Sequence, residues 1–195
     1  MRPAVLALAA AGLASAGCSS PGASSCPGTA VAAFHLDGTL ASAAQLAGDP
    51  TTAALDPVPA LPDCTPDASS PIQYPPALAL DATLAQDPAG SGAALCRTNG
   101  VVYSGERTGA SSYLVSAQAD PAVLCSGACA ATLEVVIAGD VAVDAGGAPA
   151  AFRGILVEVL TASHGACDAC LPLVPGVDPP ARACAGRYAL TGAVR

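Results

Sequence analysis

Nine cysteines spread along the chain, at Cys18, Cys26, Cys64, Cys96, Cys125, Cys129, Cys167, Cys170 and Cys184, constrain its fold more than any other feature. What they do depends on compartment, because thiols stay reduced in a cytosol and pair in an oxidising space. The first residues indicate the compartment. Met1 and Arg2 make a short positive start, residues 4–13 are an apolar run, and Ala14, Ser15, Ala16 and Gly17 are a block of small residues before Cys18. This is the three-part layout of an export signal, and its apolar run is shorter than the roughly 20 residues a spanning helix needs. An exported chain meets an oxidant, so Cys26, Cys64, Cys96, Cys125, Cys129, Cys167, Cys170 and Cys184 are all disulfide candidates.

The stretch L-A-S-A-G-C at residues 13–18 resembles the bacterial lipoprotein signal, in which a small-residue box is cut before a cysteine that is then acylated. The resemblance implies lipidation at Cys18. It departs from the usual box at Ser15, where a Leu normally stands; here the nearest Leu is Leu13. The competing reading is ordinary cleavage after Ala16. Parity agrees with acylation: nine is odd, and removing Cys18 leaves eight thiols for pairing. The expected layout is a signal peptide at 1–17, the lipidated cysteine and a flexible tether at 18–25, and a single β domain at 26–195. The tether S-S-P-G-A-S-S reaches about 15 Å as a coil.

Hydrophobic residues make up 52% of the chain, but much of that is Ala, aromatics are 3% and there is no Trp, so the core is thin and crosslinks must make up the shortfall. There is no Lys, which we ascribe to genome base composition. Without residues 1–17 six arginines face fifteen acidic residues, a net charge of −9. That sign repels phosphate backbones and anionic lipid, which excludes nucleic acid as a partner and leaves the acyl anchor as the membrane contact.

Period-two alternation dominates the rest of the chain. Over residues 29–41, Phe34, Leu36, Gly38 and Leu40 share one face and His35, Asp37 and Thr39 the other, as in a strand with one wet side. L-D-G-T-L-A at 36–41 returns as L-D-A-T-L-A at 80–85, two equivalent strands expected to be neighbours. Residues 41–47 suit a helical turn or two ending at Gly48. Prolines then crowd residues 49–76, which are expected to cross as an extended loop pinned by Cys64, with Cys26 the nearest partner in sequence. Asn99-Gly100 predicts a two-residue hairpin with Cys96 inside a strand. A strand at 112–117 comes next. Residues 132–143, bending at Gly139, and 152–160 form a hairpin expected at the centre of the core, with Ile155, Val157 and Val159 on one face. Residues 187–195 read as a closing strand beside the first. Glu134 and Glu158 interrupt the central hairpin at analogous places; they are expected to face solvent or find Arg153 or Arg187, and are conceivable as a carboxylate pair.

Two patterns suggest chemistry. F-H-L-D-G-T-L at 34–40 resembles the first motif of the haloacid-dehalogenase phosphohydrolases, which implies a general acid-base role for Asp37. His35 stands where the nucleophilic Asp belongs, and the Lys and the adjacent acidic pair of that family are missing. The second copy at 80–85 keeps the strand pattern without the Gly, so the pattern itself is structural. His164, Cys167, Cys170 and Cys184 form H-x2-C-x2-C-x13-C, soft ligands at spacings that suit Zn²⁺. Export favours disulfides there, with the loop from Cys170 to Cys184 closed by a bridge. Covalent haem needs His after C-x-x-C, and Leu171 stands there; a thioredoxin-type dithiol belongs at a helix start, and this one lies in a loop. No G-x-S-x-G occurs.

The expected fold is all-β: one antiparallel sandwich or closed barrel of about seven or eight short strands with long Pro- and Cys-rich loops, stapled by disulfides. A membrane-spanning barrel would need aromatic girdles that four Tyr and two Phe do not supply. The expected function is a non-catalytic, lipid-anchored module of the bacterial cell envelope, structural or binding, with no cofactor. The alternatives are a zinc or thiol protein using the His164 cluster and a phosphohydrolase acting through Asp37.

Overall fold

The computed structural model describes residues 26–49, 55, 61–64, 74–124 and 127–195. The signal, Cys18, the tether and most of the Pro-rich crossing lie outside them. Eight strands follow in order: β1 (Thr29–Ala41), β2 (Ala77–Gln86), β3 (Gly92–Arg97), β4 (Val102–Arg107), β5 (Ser112–Leu124), β6 (Cys129–Val143), β7 (Pro149–Gly165) and β8 (Ala183–Val194). Each pairs antiparallel with the next, and β8 returns to β1, so the sheet is a closed barrel rather than a sandwich. The twin L-D-x-T-L stretches are neighbours, with Leu36 opposite Leu80 and His35 opposite Asp81.

One residue in two faces inward. Phe34, Leu36, Leu84, Leu95, Ile137, Phe152, Tyr188 and Leu190 fill the interior, with Phe34 and Phe152 tilted together at a centroid distance of 5.9 Å. Outside stand His35, Asp37, Glu106, Glu134 and Arg153. This polarity is opposite to that of a membrane-spanning barrel, which is apolar outside and polar within. Gly139 and Gly154 face each other across β6 and β7 and make room for Phe152; a Cβ on Gly139 would lie 2.3 Å from its ring and one on Gly154 2.2 Å from the Ala138 carbonyl. The ladder passes Gly139 without a register shift, and this glycine supplies space for the Phe152 ring.

Ile155, Val157 and Val159 do share a face, but it is the outer one. They are buried with Ala138 and Ala185 under Leu46 and Leu55. Leu46 belongs to a single helical turn, α1 (Ala43–Leu46), capped by Ser42 and Gln45 in a reciprocal box. Asp63 ties this cover down. Its carboxylate accepts from Nη1 of Arg187 at 2.5 Å and from the Ala43 amide at 3.1 Å, while Nη2 of Arg187 donates to the Leu61 carbonyl at 2.9 Å. Arg187, 4% exposed, is therefore a buried cation bonded to the crossing segment. It is not the partner of Glu134 or Glu158.

Among the described residues three disulfides staple the barrel: Cys26–Cys96, Cys64–Cys184 and Cys129–Cys167. Cys170 is also oxidised; Cys125 lies outside the described residues. The expected Cys26–Cys64 pair is thus wrong, and so is a bridge closing the loop from Cys170 to Cys184. Nearness in sequence misleads in a closed barrel, because the crossing carries Cys64 to β8 through the Asp63–Ala185 bridge. Closing loops of 70, 120 and 38 residues removes denatured-state entropy worth roughly 4–5 kcal/mol each in the chain-entropy account.

Candidate functional site

The wall is not equally tall all round. β3 joins β2 from Ala82 to Gln86, and β4 joins β5 from Ser116 to Tyr113. Residues 77–81 of β2 and 117–124 of β5 therefore extend past the top of the β3–β4 hairpin with no strand between them. The hairpin stops at Asn99-Gly100. Its turn has three residues rather than two, because Arg97 N–H bonds to the Val101 carbonyl and Gly100 N–H, at φ +90°, bonds back to the Arg97 carbonyl. The turn docks on β2 through a bond from the Thr98 N–H to the Asp81 carbonyl of 3.1 Å.

Behind this notch lies a cavity of about 390 Å³ that opens the upper barrel to solvent. That lies within the range of small-molecule sites. Leu78, Leu80, Leu124, Leu133, Leu156 and Leu160 form its apolar walls, and Tyr74, Tyr103 and Tyr188 its aromatic ones. Tyr74 and Tyr188 meet edge to face at 6.4 Å. Their hydroxyls are engaged, Tyr74 with Cys64 Sγ at 3.7 Å and Tyr188 with the Pro75 carbonyl at 3.1 Å, so the rings are held in place.

Two charged side chains line the same cavity, Arg97 on its sill and Glu158 on the far wall. Glu158 shares the inward register of Phe152, Leu156 and Leu160. Its half-buried carboxylate has no hydrogen bond or ion pair among the described residues, and burial raises its pKa, with the Arg97 charge opposing. Burial, with the charge of Glu158, also pushes the Tyr188 hydroxyl up to about 12 and Tyr74 higher still. Tyr103 is 3% exposed, and its hydroxyl too has no partner among the described residues.

The residues singled out in the sequence lie elsewhere. Glu134 is exposed on the outer face, opposite in sense to Glu158, so the two make no carboxylate pair. His35 and Asp37 stand on the outer surface of β1. His35 Nδ1 lies 2.6 Å from Asp81 Oδ1, and Arg195 reaches Asp81 Oδ2 at 2.9 Å; the His35 hydrogen bond, then Arg195, holds the Asp81 pKa down. His35 Nε2 is 3.6 Å from Asp37. His164 is exposed beside Ser163, while Cys167 and Cys184 belong to different bridges and Cys170 is oxidised as well. The H-x2-C-x2-C-x13-C spacing therefore does not converge, and no three His, Cys, Asp or Glu among the described residues could hold a metal ion.

In the sequence Glu158 was considered only as the mate of Glu134, and Arg97 and the tyrosines were not singled out as a site. The signal that could have found them was parity: a Glu in the same alternate set as Phe152, Leu156 and Leu160 breaks an otherwise apolar inner face. Compared with known families, curated proteins and solved structures, the chain finds no match in any of the three.

Proposed function

We propose that this chain is a non-catalytic binding module, exported and held at the bacterial cell envelope by an acylated Cys18, whose barrel takes one small, largely apolar ligand through the notch above β3 and β4. The observation that carries the reading is a cavity with leucine and tyrosine walls on which a carboxylate and a tyrosine hydroxyl have no protein partner among the described residues. No side-chain nitrogen or oxygen among the described residues is sealed from solvent without a partner, so both groups open into the recess, and polar atoms open on an apolar wall suit a ligand that completes them. Eight-stranded barrels have room either for their own side chains or for one small ligand. Here the Phe34 and Phe152 end suits the first use and the Glu158 end the second. The disulfides fit an oxidising location, and the negative charge leaves the acyl chains as the membrane contact.

The test has two parts. Intact mass of protein extracted from membranes should show loss of residues 1–17, acyl chains on Cys18 and every other cysteine oxidised; an unprocessed, reduced chain ends the envelope reading. A neutral apolar dye such as Nile red should bind saturably at one site and be excluded by Ala122→Trp, which plugs the notch. Binding that is absent, or indifferent to the plug, ends the cavity reading.

A further inference from the structure

Which ligand the cavity takes is written in the uneven placement of its charges. Glu158 is on the far wall, among Leu156, Leu160, Tyr74 and Tyr188, where the carboxylate has lost part of its water and gained no donor among the described residues. Arg97 is at the end of β3, on the sill, where solvent reaches it. A charge interacts strongly where water is excluded and weakly at a wet rim. The inner carboxylate therefore dominates selection, while the guanidinium, part-exposed at the end of β3, stands at the opening. A ligand acid would bring a like charge to Glu158. A neutral ligand would fill the apolar space and leave the carboxylate unmet.

From this we infer that the cavity selects small apolar amines, inserted ammonium first, with the ammonium on Glu158 and the hydrocarbon body against Leu78, Leu124, Leu133 and Leu156. This inference rests on the binding reading above and deepens it. Charge-assisted hydrogen bonds to a carboxylate are about twice as strong as neutral ones, and tyrosine faces add attraction for a desolvated cation. Among the described residues, Arg97, Tyr74, Tyr103 and Tyr188 are the other titratable or charged groups lining the recess. Arg97 is the cationic side chain among these, and it opposes a ligand cation from the rim. The charge of an ammonium beside Glu158 would favour the ionised carboxylate against the burial that raises its pKa, so amine binding should release a proton when measured at mildly acidic pH.

Three matched compounds test this: phenylbutylamine, phenylbutanol and phenylbutyrate, titrated calorimetrically into the oxidised protein as cells export it, in phosphatidylcholine nanodiscs if it carries acyl chains. We expect the amine to bind at least about tenfold more tightly than the alcohol, and the acid more weakly than either. Glu158→Gln, isosteric and checked for fold by circular dichroism, should erase the amine's advantage and leave the alcohol within about twofold, while Glu158→Asp should keep part of it. If the alcohol binds as tightly as the amine, or Glu158→Gln weakens both alike, amine selection is overturned and the binding reading stands. If none of the three binds, the binding reading itself falls.

Discussion

The hairpin of β6 and β7 and the hairpin of β3 and β4 share one antiparallel ladder and serve opposite ends. The first runs from Cys129 opposite Gly165 to Val143 opposite Pro149 and is buried on both sides, by Phe152 and Leu156 within and by Leu46 and Leu55 without. The second ends after Cys96 opposite Val102 and leaves its neighbours β2 and β5 standing above it. A barrel that is tall and doubly covered on one side tolerates a low wall on the other. The side that carries the stability and the side that grants access are thus separate stretches of chain, so each can be broken alone.

The heaviest blow to the covered side should come from removing Cys64 and Cys184 together as alanines. This frees a loop spanning 120 residues and should cost about 4–5 kcal/mol in the chain-entropy account, a large part of a typical domain's stability. Denaturant unfolding followed by circular dichroism measures it. A loss below about 1 kcal/mol would mean that the cover is held without its staple. Arg187→Met should rank next, at about 3 kcal/mol, because it leaves the Asp63 carboxylate under the crossing without its cation. Asp63 is itself about one-third exposed, which puts the effect at the low end of values for broken buried pairs. Adding Asp63→Leu to Arg187→Met should restore part of the loss; no recovery would show that the pair with Asp63 is not what Arg187 contributes.

Truncating a side chain at each end tests the contrast directly. Phe152, 3% exposed and held between Phe34 and the glycines of β6 and β7, should cost about 3–5 kcal/mol as alanine. Leu78, half-buried on the notch wall, should cost about 1 kcal/mol as alanine, because part of its surface already meets solvent. Equal losses from the two would abolish the distinction between a filled end and an open one.

Much of this division could be read from residue order. Phe34, Leu36 and Leu40 alternate with His35, Asp37 and Thr39 cleanly enough to place β1 at its observed bounds, and the repeated L-D-x-T-L pointed to the β1–β2 neighbourhood. Asn99-Gly100 marked the short hairpin, though only pairing could show a third turn residue or reveal that the wall stops there. Pro121 concealed the upper half of β5, which continues through it with a register irregularity between Ala119 and Ala122. Alternation failed on β7 for a physical reason. When both faces of a strand are buried, period two no longer tells inside from outside, so Ile155, Val157 and Val159 looked like the core face and Glu158 like the wet one. Disulfide partners were beyond reach for a related reason: strand pairing, not distance along the chain, sets them, since the Asp63–Ala185 bridge brings Cys64 to Cys184 and the β1–β2–β3 ladder brings Cys26 to Cys96.

The smallest effect expected bears most directly on the open side. Burial raises the Glu158 pKa above its ordinary 4.5, with Arg97 opposing. A carboxyl whose folded pKa lies above its unfolded one binds more protons in the native state. Its contribution to stability is therefore lost as pH rises from the ordinary carboxylate range through the folded value, and the cost persists at neutral pH. Asp81 has the opposite sign: the His35 hydrogen bond depresses its pKa, so the stability it adds is present at neutral pH and lost as pH falls through the folded value. Glu158→Gln should accordingly be more stable than the parent at neutral pH, with the gap closing as pH is lowered below the ordinary range. His35→Ala should be less stable at neutral pH, with its own gap also closing in acid. Paired melts of the two variants from acid to neutral pH would separate the inner carboxylate from the outer one. A Glu158→Gln variant that gains nothing at neutral pH would mean that water in the notch hydrates that carboxylate as fully as bulk solvent does, and the far wall would then have no unmet charge for a ligand to answer.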